Sequence, residues 1–224
     1  MGRPKEHDAR TALALLDAAE RAIQAGGVDA VSVRGIAQTA GTTTRAVYSL
    51  FGSKDGLLAA LGARAFELLG SAIRALPETE DPAADLAEAG IEVFRRFVTE
   101  HPILFQMGFQ PGPAFADRAA EREEARLDAL AGLVGKVTRL DKAHLLRGRT
   151  VADAIISFHA MCEGLADIEL RGMLPPGHEE RIWRTALTAL VAGLAVPPPP
   201  GQAFRNHMPP LDMKVGSRAR EEDR

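Results

Sequence analysis

The stretch Ser32–Phe51, SVRGIAQTAGTTTRAVYSLF, has the spacing of two short helices joined by a tight turn. The first helix has a narrow apolar face, formed by Ile36, Ala37 and Ala40. Gly41 then supplies a residue that enters the left-handed backbone region without a steric penalty. Val47 and Phe51, four positions apart, give the second helix an inner face. The stretch therefore predicts a helix-turn-helix whose second helix presents its other side to solvent.

This second helix carries polar side chains along its N-terminal half, where a recognition helix reads the DNA major groove. Arg45 can make paired hydrogen bonds to guanine, and a threonine can donate, accept or contact a thymine methyl. Tyr48 and Ser49 suit phosphate contacts, and Lys54 falls in the first turn of the next helix, where backbone N–H groups favour a phosphate. The predicted DNA-binding residues are Arg3, Lys5, Ser32, Arg34, Thr42, Thr43, Thr44, Arg45, Tyr48, Ser49 and Lys54.

Two of these assignments have simpler alternatives. Residues 32–51 can also form a helical hairpin inside a core, with Tyr48 half-buried. Residues 2–5, Gly-Arg-Pro-Lys, form a basic arm that suits an A·T-rich minor groove, or they are simply a solvated terminus. Charge favours the DNA-binding interpretation: residues 1–64 carry eight basic and six acidic side chains, whereas the whole chain has a net charge of −3.

The rest of the chain shows helical periodicity and no strand pattern, so we predict an all-α protein. Helices are expected at 8–25, 32–40, 42–51, 53–76, 83–100, 102–109, 113–138, 141–171 and 177–195. We predict four regions: a basic N-terminal arm (1–9), a three-helix DNA-binding domain with the helix-turn-helix (10–56), a larger C-terminal helical domain for effector binding and dimerisation (57–196), and a Pro-rich, disordered tail (197–224).

Composition restricts the remaining classes of protein. Cys162 is the only cysteine among the 224 residues, which excludes an internal disulfide and a cysteine metal cluster and fits a reducing compartment. We find no signal peptide, and the late apolar run at 189–196 is far shorter than the ~20 residues of a membrane span. The expectation is a cytoplasmic protein that has no membrane partner and needs no metal or cofactor.

Residues 10–60 resemble the DNA-binding domain of the TetR family of transcriptional regulators. The motifs that carry the resemblance are Gly27, Ser32, Ile36-Ala37, Ala40-Gly41, Thr43, Val47-Tyr48, Phe51 and Lys54-Asp55-Gly56-Leu57. The departures are local: Gly35, Thr42, Ser49 and Leu50 replace residues that are common in the family, and they affect the operator sequence rather than the fold. The resemblance implies a homodimeric repressor that binds double-stranded operator DNA and responds to a small-molecule effector.

Two later segments, 94–105 and 159–170, resemble the C-terminal domain of one TetR subgroup. That subgroup has Trp and His-Gly where this chain has His159 and Glu163-Gly164. Because two of these three positions differ, the resemblance does not extend to any particular ligand.

Two apolar stripes are candidates for the dimer interface. They consist of Val151, Ile155, Phe158, Cys162 and Leu165, and of Trp183, Leu187, Leu190 and Leu194. Such stripes from two subunits can form a two-fold four-helix bundle. The alternative is that they face the core of their own subunit.

A sensing pocket is expected between the middle helices. Its candidate residues are Phe97, His101, Phe105, Met107, Phe109, Phe158, His159 and Glu163. Apolar walls with a few polar groups are typical of small-molecule sites, although the same residues also suit plain core. By the resemblance, a bound ligand would tilt the long helix after Ser53 and change the spacing of the recognition helices.

Three other functions remain open. An enzyme would need the polar residues His101, His159, Cys162 and Glu163 as a nucleophile and base, but the chain has no His-Glu-x-x-His motif and no phosphate-binding glycine loop. We therefore expect no enzymatic activity. A DNA-binding protein without an effector, or an activator instead of a repressor, shares the same helix-turn-helix.

Overall fold

A computed structural model describes residues 3–109 and 119–196, with side chains for 8–109 and 123–196. All regular structure in these ranges is helical, as predicted. The helices are α1 (Arg3–Gly26), α2 (Val33–Thr39), α3 (Thr44–Phe51), α4 (Lys54–Ala75), α5 (Pro82–Glu88), α6 (Arg96–Glu100), α7 (Pro102–Phe109), α8 (Ala119–Lys142), α9 (Val151–Leu170) and α10 (Glu179–Leu194). A 3₁₀ turn (Val28–Ala30) follows α1, and a π-helical segment (Ala89–Arg95) connects α5 to α6.

Three hydroxyl side chains begin the helices of the DNA-binding module. The side-chain oxygens of Ser32, Thr43 and Ser53 each accept a hydrogen bond from the backbone N–H three residues later, at 3.0, 3.3 and 2.9 Å. Such caps satisfy N–H groups that have no partner within the helix. Gly41 and Gly52 end α2 and α3 with positive φ angles of 66° and 75°. Local chemistry therefore determines where α2, α3 and α4 begin.

The long helix α4 lies at the centre of the chain and packs along α7 and α8. Its Gly70 meets Ala129 of α8 so closely that an added Cβ would lie 2.9 Å from the Ala129 Cα. A Cβ added at Gly132 of α8 would lie 3.1 Å from the Ile73 Cγ2. Small residues permit this close crossing. Among the described residues, only α4 is long and apolar enough to span a membrane, and 61% of that window is buried within the protein, as expected of a core helix.

A polar junction holds the C-terminal end of α4. Lys136 Nζ of α8 lies 3.4 Å from the carbonyl oxygens of both Leu76 and Pro77 and donates to them. Next to it, Asp85 of α5 accepts hydrogen bonds from the backbone N–H and hydroxyl of Thr79, at 2.9 and 2.7 Å, and forms an ion pair with Arg139. Burial opposes ionisation, but these bonds prevail and lower the pKa of Asp85 to about 2. One end of α4 is thus anchored to α5 and α8.

A second network joins the π-helical segment to α9 and α10. Glu169 accepts two hydrogen bonds from the Arg95 guanidinium, at 3.2 and 2.9 Å, and a third from Trp183 Nε1 at 2.6 Å. The Trp183 side chain is fully buried, so its N–H needs this partner. The network positions three elements that surround the larger core.

The helix boundaries depart from prediction in two places. The predicted helix at 8–25 begins already at Arg3, so the backbone of the predicted basic arm is helical from that residue. The predicted helix at 141–171 is wrong: α8 runs on to Lys142, the chain turns, and α9 begins at Val151. The break coincides with positive φ angles at His144 and Arg147 and with a capping box formed by Thr150 and Asp153.

Three predicted features lie outside the described residues. They are the tail at 197–224, the start of the helix expected at residue 113, and the side chains of Arg3 and Lys5.

The two stripes proposed for dimerisation face the core of their own subunit. Seven of the nine side chains are buried within the single chain, and Val151 and Leu190 are partly buried. The physical reason is that α9 and α10 pack their most apolar faces against each other and the π-helical segment, with α8 also covering α9 and α5 also covering α10. Any contact with a second subunit must therefore use their other faces, on which Ile156, Ala160 and Gly164 of α9 are exposed.

Candidate DNA interface and ligand cavity

The outer face of α2 and α3 carries most of the residues predicted to bind DNA. Val47 and Phe51 point inward, with 0% and 7% of their surface exposed. The exposed predicted residues are Ser32, Arg34, Thr43, Thr44, Arg45, Tyr48 and Ser49, while Thr42 and Lys54 are partly buried. Tyr48 is 54% exposed, which argues against a half-buried hairpin residue. A helix of this orientation can enter a groove while α2 supports it.

The basic side chains of this face have no partner in the part of the chain that the structure describes. Within residues 8–109 and 123–196, no hydrogen bond or ion pair involves the side chains of Arg34, Arg45 or Lys54. Ser32 and Thr43, two other residues predicted to bind DNA, also have a structural role, because their hydroxyl oxygens cap helices. A capping hydroxyl still has its own proton to donate to a phosphate. The face therefore combines unpaired cations with available donors.

One ion pair and one histidine–carboxylate contact connect this module to the rest of the chain. Arg64 of α4 donates to Asp17 of α1, with 2.6 Å between Nη1 and Oδ1. His101, between α6 and α7, lies 3.4 Å from Glu20 of α1. Helix α1 therefore contacts both α4 and the start of α7.

A cavity of about 490 Å³ lies in the C-terminal domain. Five elements supply its walls: α4, the π-helical segment, α7, α8 and α9. The lining residues are Phe66, Leu69, Ile73, Ala89, Phe94, Gly108, Phe109, Arg126, Ala129, Leu130, Leu133, Ile155, Ile156, Phe158, His159, Ala160, Cys162 and Glu163. Its size lies within the ~300–1,000 Å³ common for small-molecule sites.

Half of the residues predicted for a pocket line this cavity. Phe109, Phe158, His159 and Glu163 do so. Phe97, His101, Phe105 and Met107 do not. Phe97, Phe105 and Met107 are buried in the core. His101 instead contacts Glu20.

The sequence pattern missed the contributions of α4 and α8. Phe66, Leu69 and Ile73 stand on the apolar stripe of α4, and Leu130 and Leu133 on that of α8. An apolar stripe shows which face is buried but not whether the neighbour leaves space. No signal in the sequence distinguishes these residues from ordinary core.

Aromatic rings form a continuous wall of the cavity. Phe109 is at its centre, with ring centroids 4.9 Å from Phe66, 5.5 Å from Phe94 and 5.8 Å from His159. These separations are within the range of favourable aromatic pairs. The wall thus offers a surface of several rings to an apolar guest.

Polar groups of the lining are few, and each has a defined partner. His159 Nε2 lies 2.6 Å from Glu163 Oε1, one helical turn away. Arg126 makes a two-fold bond to Glu123, at 2.7 and 2.6 Å. Burial raises the pKa of the Cys162 thiol, so it is not poised as a nucleophile. In the parts of the chain that the structure describes, no group of three metal-ligating side chains occurs.

Two family models match separate parts of the chain. Residues 15–61 match the family described as bacterial regulatory proteins, tetR family, and residues 87–190 match the tetracyclin repressor-like C-terminal domain. Together the matches cover more than half of the chain. No protein of curated function matches the sequence significantly.

Solved structures share the fold at low sequence identity. A protein of unknown function from Rhodococcus sp. RHA1 is 25% identical, with a TM-score of 0.71 over 83% of this chain and 96% of its own. The TetR family transcriptional regulator PfmR from Thermus thermophilus is 22% identical, with a TM-score of 0.63 over 79% and 96%.

RolR, solved in complex with the ligand resorcinol, is 19% identical, with a TM-score of 0.57 over 86% of this chain and 96% of its own.

The two family matches, the helical fold and the exposed recognition face agree. This chain belongs to the tetR family of bacterial regulatory proteins and is a DNA-binding transcriptional regulator rather than an enzyme.

Proposed function

We propose that this protein is a cytoplasmic homodimeric repressor that binds operator DNA through α3 and releases it when a small apolar ligand occupies the C-terminal cavity. The observation that carries the proposal is the course of α4. The helix begins at Lys54, separated from the end of α3 by two residues, and its residues Phe66, Leu69 and Ile73 line the cavity. One rigid element therefore connects the ligand site to the recognition helix.

The anchored end of α4 makes this connection directional. Lys136 holds the carbonyls of Leu76 and Pro77. A ligand that displaces α4 at Leu69 would therefore move the opposite end of the helix, at Lys54, by a larger distance than Leu69 itself. With a rise of 1.5 Å per residue, Leu69 lies roughly 10 Å and Lys54 roughly 33 Å from the anchor. A displacement at the cavity would be enlarged about three-fold at the DNA-binding module. A ligand acts in this way only if it binds the DNA-free arrangement better.

Roles at the DNA follow from side-chain chemistry. Arg45 and the threonines at 42–44 read base edges in the major groove, with Arg45 suited to guanine. Tyr48, Ser49, Ser32, Arg34 and Lys54 hold phosphates. Arg3 and Lys5, at the start of α1, contact the adjacent minor groove or backbone.

The dimer is proposed to form through the exposed faces of α9 and α10. Gly164 lies on one such face, and Ala189 and Gly193 lie on the other; Ile156 and Ala160 of α9 are exposed too but line the cavity. Small residues let helices approach closely, as a four-helix bundle requires. We also propose, from segments 94–105 and 159–170, that the C-terminal domain is related to the Trp-His-Gly subgroup.

The test is binding of the purified protein to the DNA upstream of its own gene, measured by fluorescence anisotropy at several salt concentrations. Arg45→Ala should lose roughly 1–3 kcal/mol of discrimination at one base position. Lys54→Ala should weaken binding to all sequences and reduce the salt dependence. Arg96→Ala is the matched control, because Arg96 is exposed on α6 and its guanidinium pairs with Glu100.

Two outcomes would contradict the proposal. If neither the upstream DNA nor a random operator library is bound selectively, α3 is not a recognition helix. If Arg96→Ala weakens binding as much as Lys54→Ala, the effect reflects general charge. A DNA-binding protein without an effector is the second candidate, but a cavity of about 490 Å³ bordered by α4 favours ligand control.

A further inference from the structure

The polar side chains of the cavity lining limit which ligands the cavity can accept. This inference rests on the proposed ligand-responsive function and concerns the same site. Among the described residues that line it, Arg126, His159 and Glu163 are the charged or titratable side chains, apart from the buried Cys162 thiol, and the others are apolar. The available hydrogen-bonding atoms of these three residues therefore determine which polar group a ligand can bring.

Arg126 is a poor receptor for an anion. Its Nε and Nη2 are both engaged by the Glu123 carboxylate, and this contact raises the pKa of Arg126. A ligand carboxylate would compete with Glu123, which already offsets the charge of this guanidinium, and would also meet the Glu163 carboxylate in the lining. Both effects oppose an anionic ligand.

Glu163, by contrast, has an acceptor to spare. Its Oε1 lies 2.6 Å from His159 Nε2, while Oε2 has no hydrogen-bond partner among the residues that the structure describes. The side chain is 40% exposed, so Oε2 is open to a partner. A carboxylate oxygen accepts and cannot donate, which calls for an O–H or N–H on the ligand.

A neutral donor suits the site better than a cation. A cation would lose hydration in a cavity with apolar walls. It would also be repelled by the Arg126 guanidinium in the same lining. A hydroxyl has a much smaller desolvation cost and still gains a charge-assisted hydrogen bond. The rings of Phe66, Phe94, Phe109 and Phe158 favour a flat aromatic body for the remainder of the molecule.

We propose that the ligand is a neutral aromatic hydroxyl compound of two or three rings. Its hydroxyl donates to Glu163, and its rings pack among the four phenylalanines. A cavity of about 490 Å³ has room for more than one ring.

The test is isothermal titration of the full-length protein with four matched probes: 2-naphthol, naphthalene, 2-naphthoate and 2-naphthylmethylammonium. 2-Naphthol should bind about ten-fold more tightly than each of the others, the gain expected of one hydrogen bond to a charged group. Tighter binding of the carboxylate or the ammonium compound, or equal affinity for naphthol and naphthalene, would overturn the proposal.

Variants identify the responsible side chain. Glu163→Met removes the acceptor at similar length, so it should reduce the affinity for 2-naphthol about ten-fold and leave that for naphthalene unchanged. Glu100→Met, at an exposed position of α6 outside the cavity, should change neither affinity. Equal loss in both variants would overturn the role of Glu163.

Operator binding without probe separates this inference from the proposed function. If the protein binds DNA selectively but none of the four probes, the aromatic hydroxyl ligand is wrong and the regulator remains. If it binds no DNA selectively, the proposed function fails, whatever the titrations show.

Discussion

Arg64 of α4 and Asp17 of α1 form a direct ion pair, with 2.6 Å between Nη1 and Oδ1. The pair connects the helix that borders the cavity to the first helix of the DNA-binding module. The Arg64 side chain is 18% exposed and that of Asp17 is 44% exposed, so the pair lies at the edge of the core. We therefore expect the pair to contribute more to the coupling between the cavity and the DNA-binding module than to the free energy of unfolding.

We expect a double-mutant cycle of Asp17→Asn and Arg64→Gln to show a coupling of less than about 1 kcal/mol in the free energy of unfolding, because partly exposed pairs contribute little. The same cycle should show a clear coupling in the ligand concentration that releases operator DNA. Urea unfolding and anisotropy give the two quantities. A coupling in unfolding alone would assign the pair a purely structural role.

Filling the cavity should separate DNA binding from ligand response. Leu130 lines the cavity from α8 and is only partly buried, so a larger side chain can extend into the space. Leu130→Trp should abolish release by any ligand while operator affinity stays within about two-fold, since α3 is untouched. Anisotropy with and without ligand measures both. Unchanged release by ligand in this variant would place the effector elsewhere.

A charge on the outer face of α9 should disrupt the dimer without disturbing the subunit. A Cβ added at Gly164 meets no atom within 4 Å, and the same is true of Gly135 on α8. Gly164→Glu should therefore shift the protein to a monomer and weaken operator binding, because two half-sites require two subunits. Gly135→Glu is the matched control. Analytical ultracentrifugation checks the result, and a dimeric Gly164→Glu protein would exclude this interface.

Gly90 in the π-helical segment should tolerate no larger residue. An added Cβ would lie 2.4 Å from Leu187 Cδ1 and 3.1 Å from Phe158 Cζ. Gly90→Ala should lower the free energy of unfolding by about 1–3 kcal/mol through overpacking. Gly135→Ala, at an open helical position, should raise it by about 0.5–1 kcal/mol. Thermal unfolding compares the two variants. An equal change in both would show that Leu187 and Phe158 move aside from the added methyl group without cost.

Asp85 should make stability depend on acidic pH. Its pKa is lowered from 3.8 to about 2, so its contribution is present above pH 4 and is lost as the pH falls toward 2. Between pH 5 and pH 3 the advantage of the natural protein over Asp85→Asn should shrink by about 1 kcal/mol. Urea unfolding at both pH values measures this. Asp128→Asn, at an exposed ion pair, should show no comparable change.

Local signals in the chain were sufficient to predict the DNA-binding module. Ser32, Thr43 and Ser53 cap α2, α3 and α4, and Gly41 and Gly52 end the helices between them. These signals act within a few residues, so they can be recognised without knowing the neighbouring helices. The exposed face of α3 then followed from the inward spacing of Val47 and Phe51.

The cavity and the use of the apolar stripes, in contrast, depend on how the helices pack. Periodicity identified the buried faces of α9 and α10 but left open whether a second subunit or their own chain covers them, and their own chain does so. The same limit explains why Phe105 and Met107 belong to the core while Phe66 and Leu130 line the cavity. An apolar side chain gains free energy from leaving water, whichever surface covers it. Which surface does so, and where space remains, is set by contacts between long helices that lie far apart in the chain.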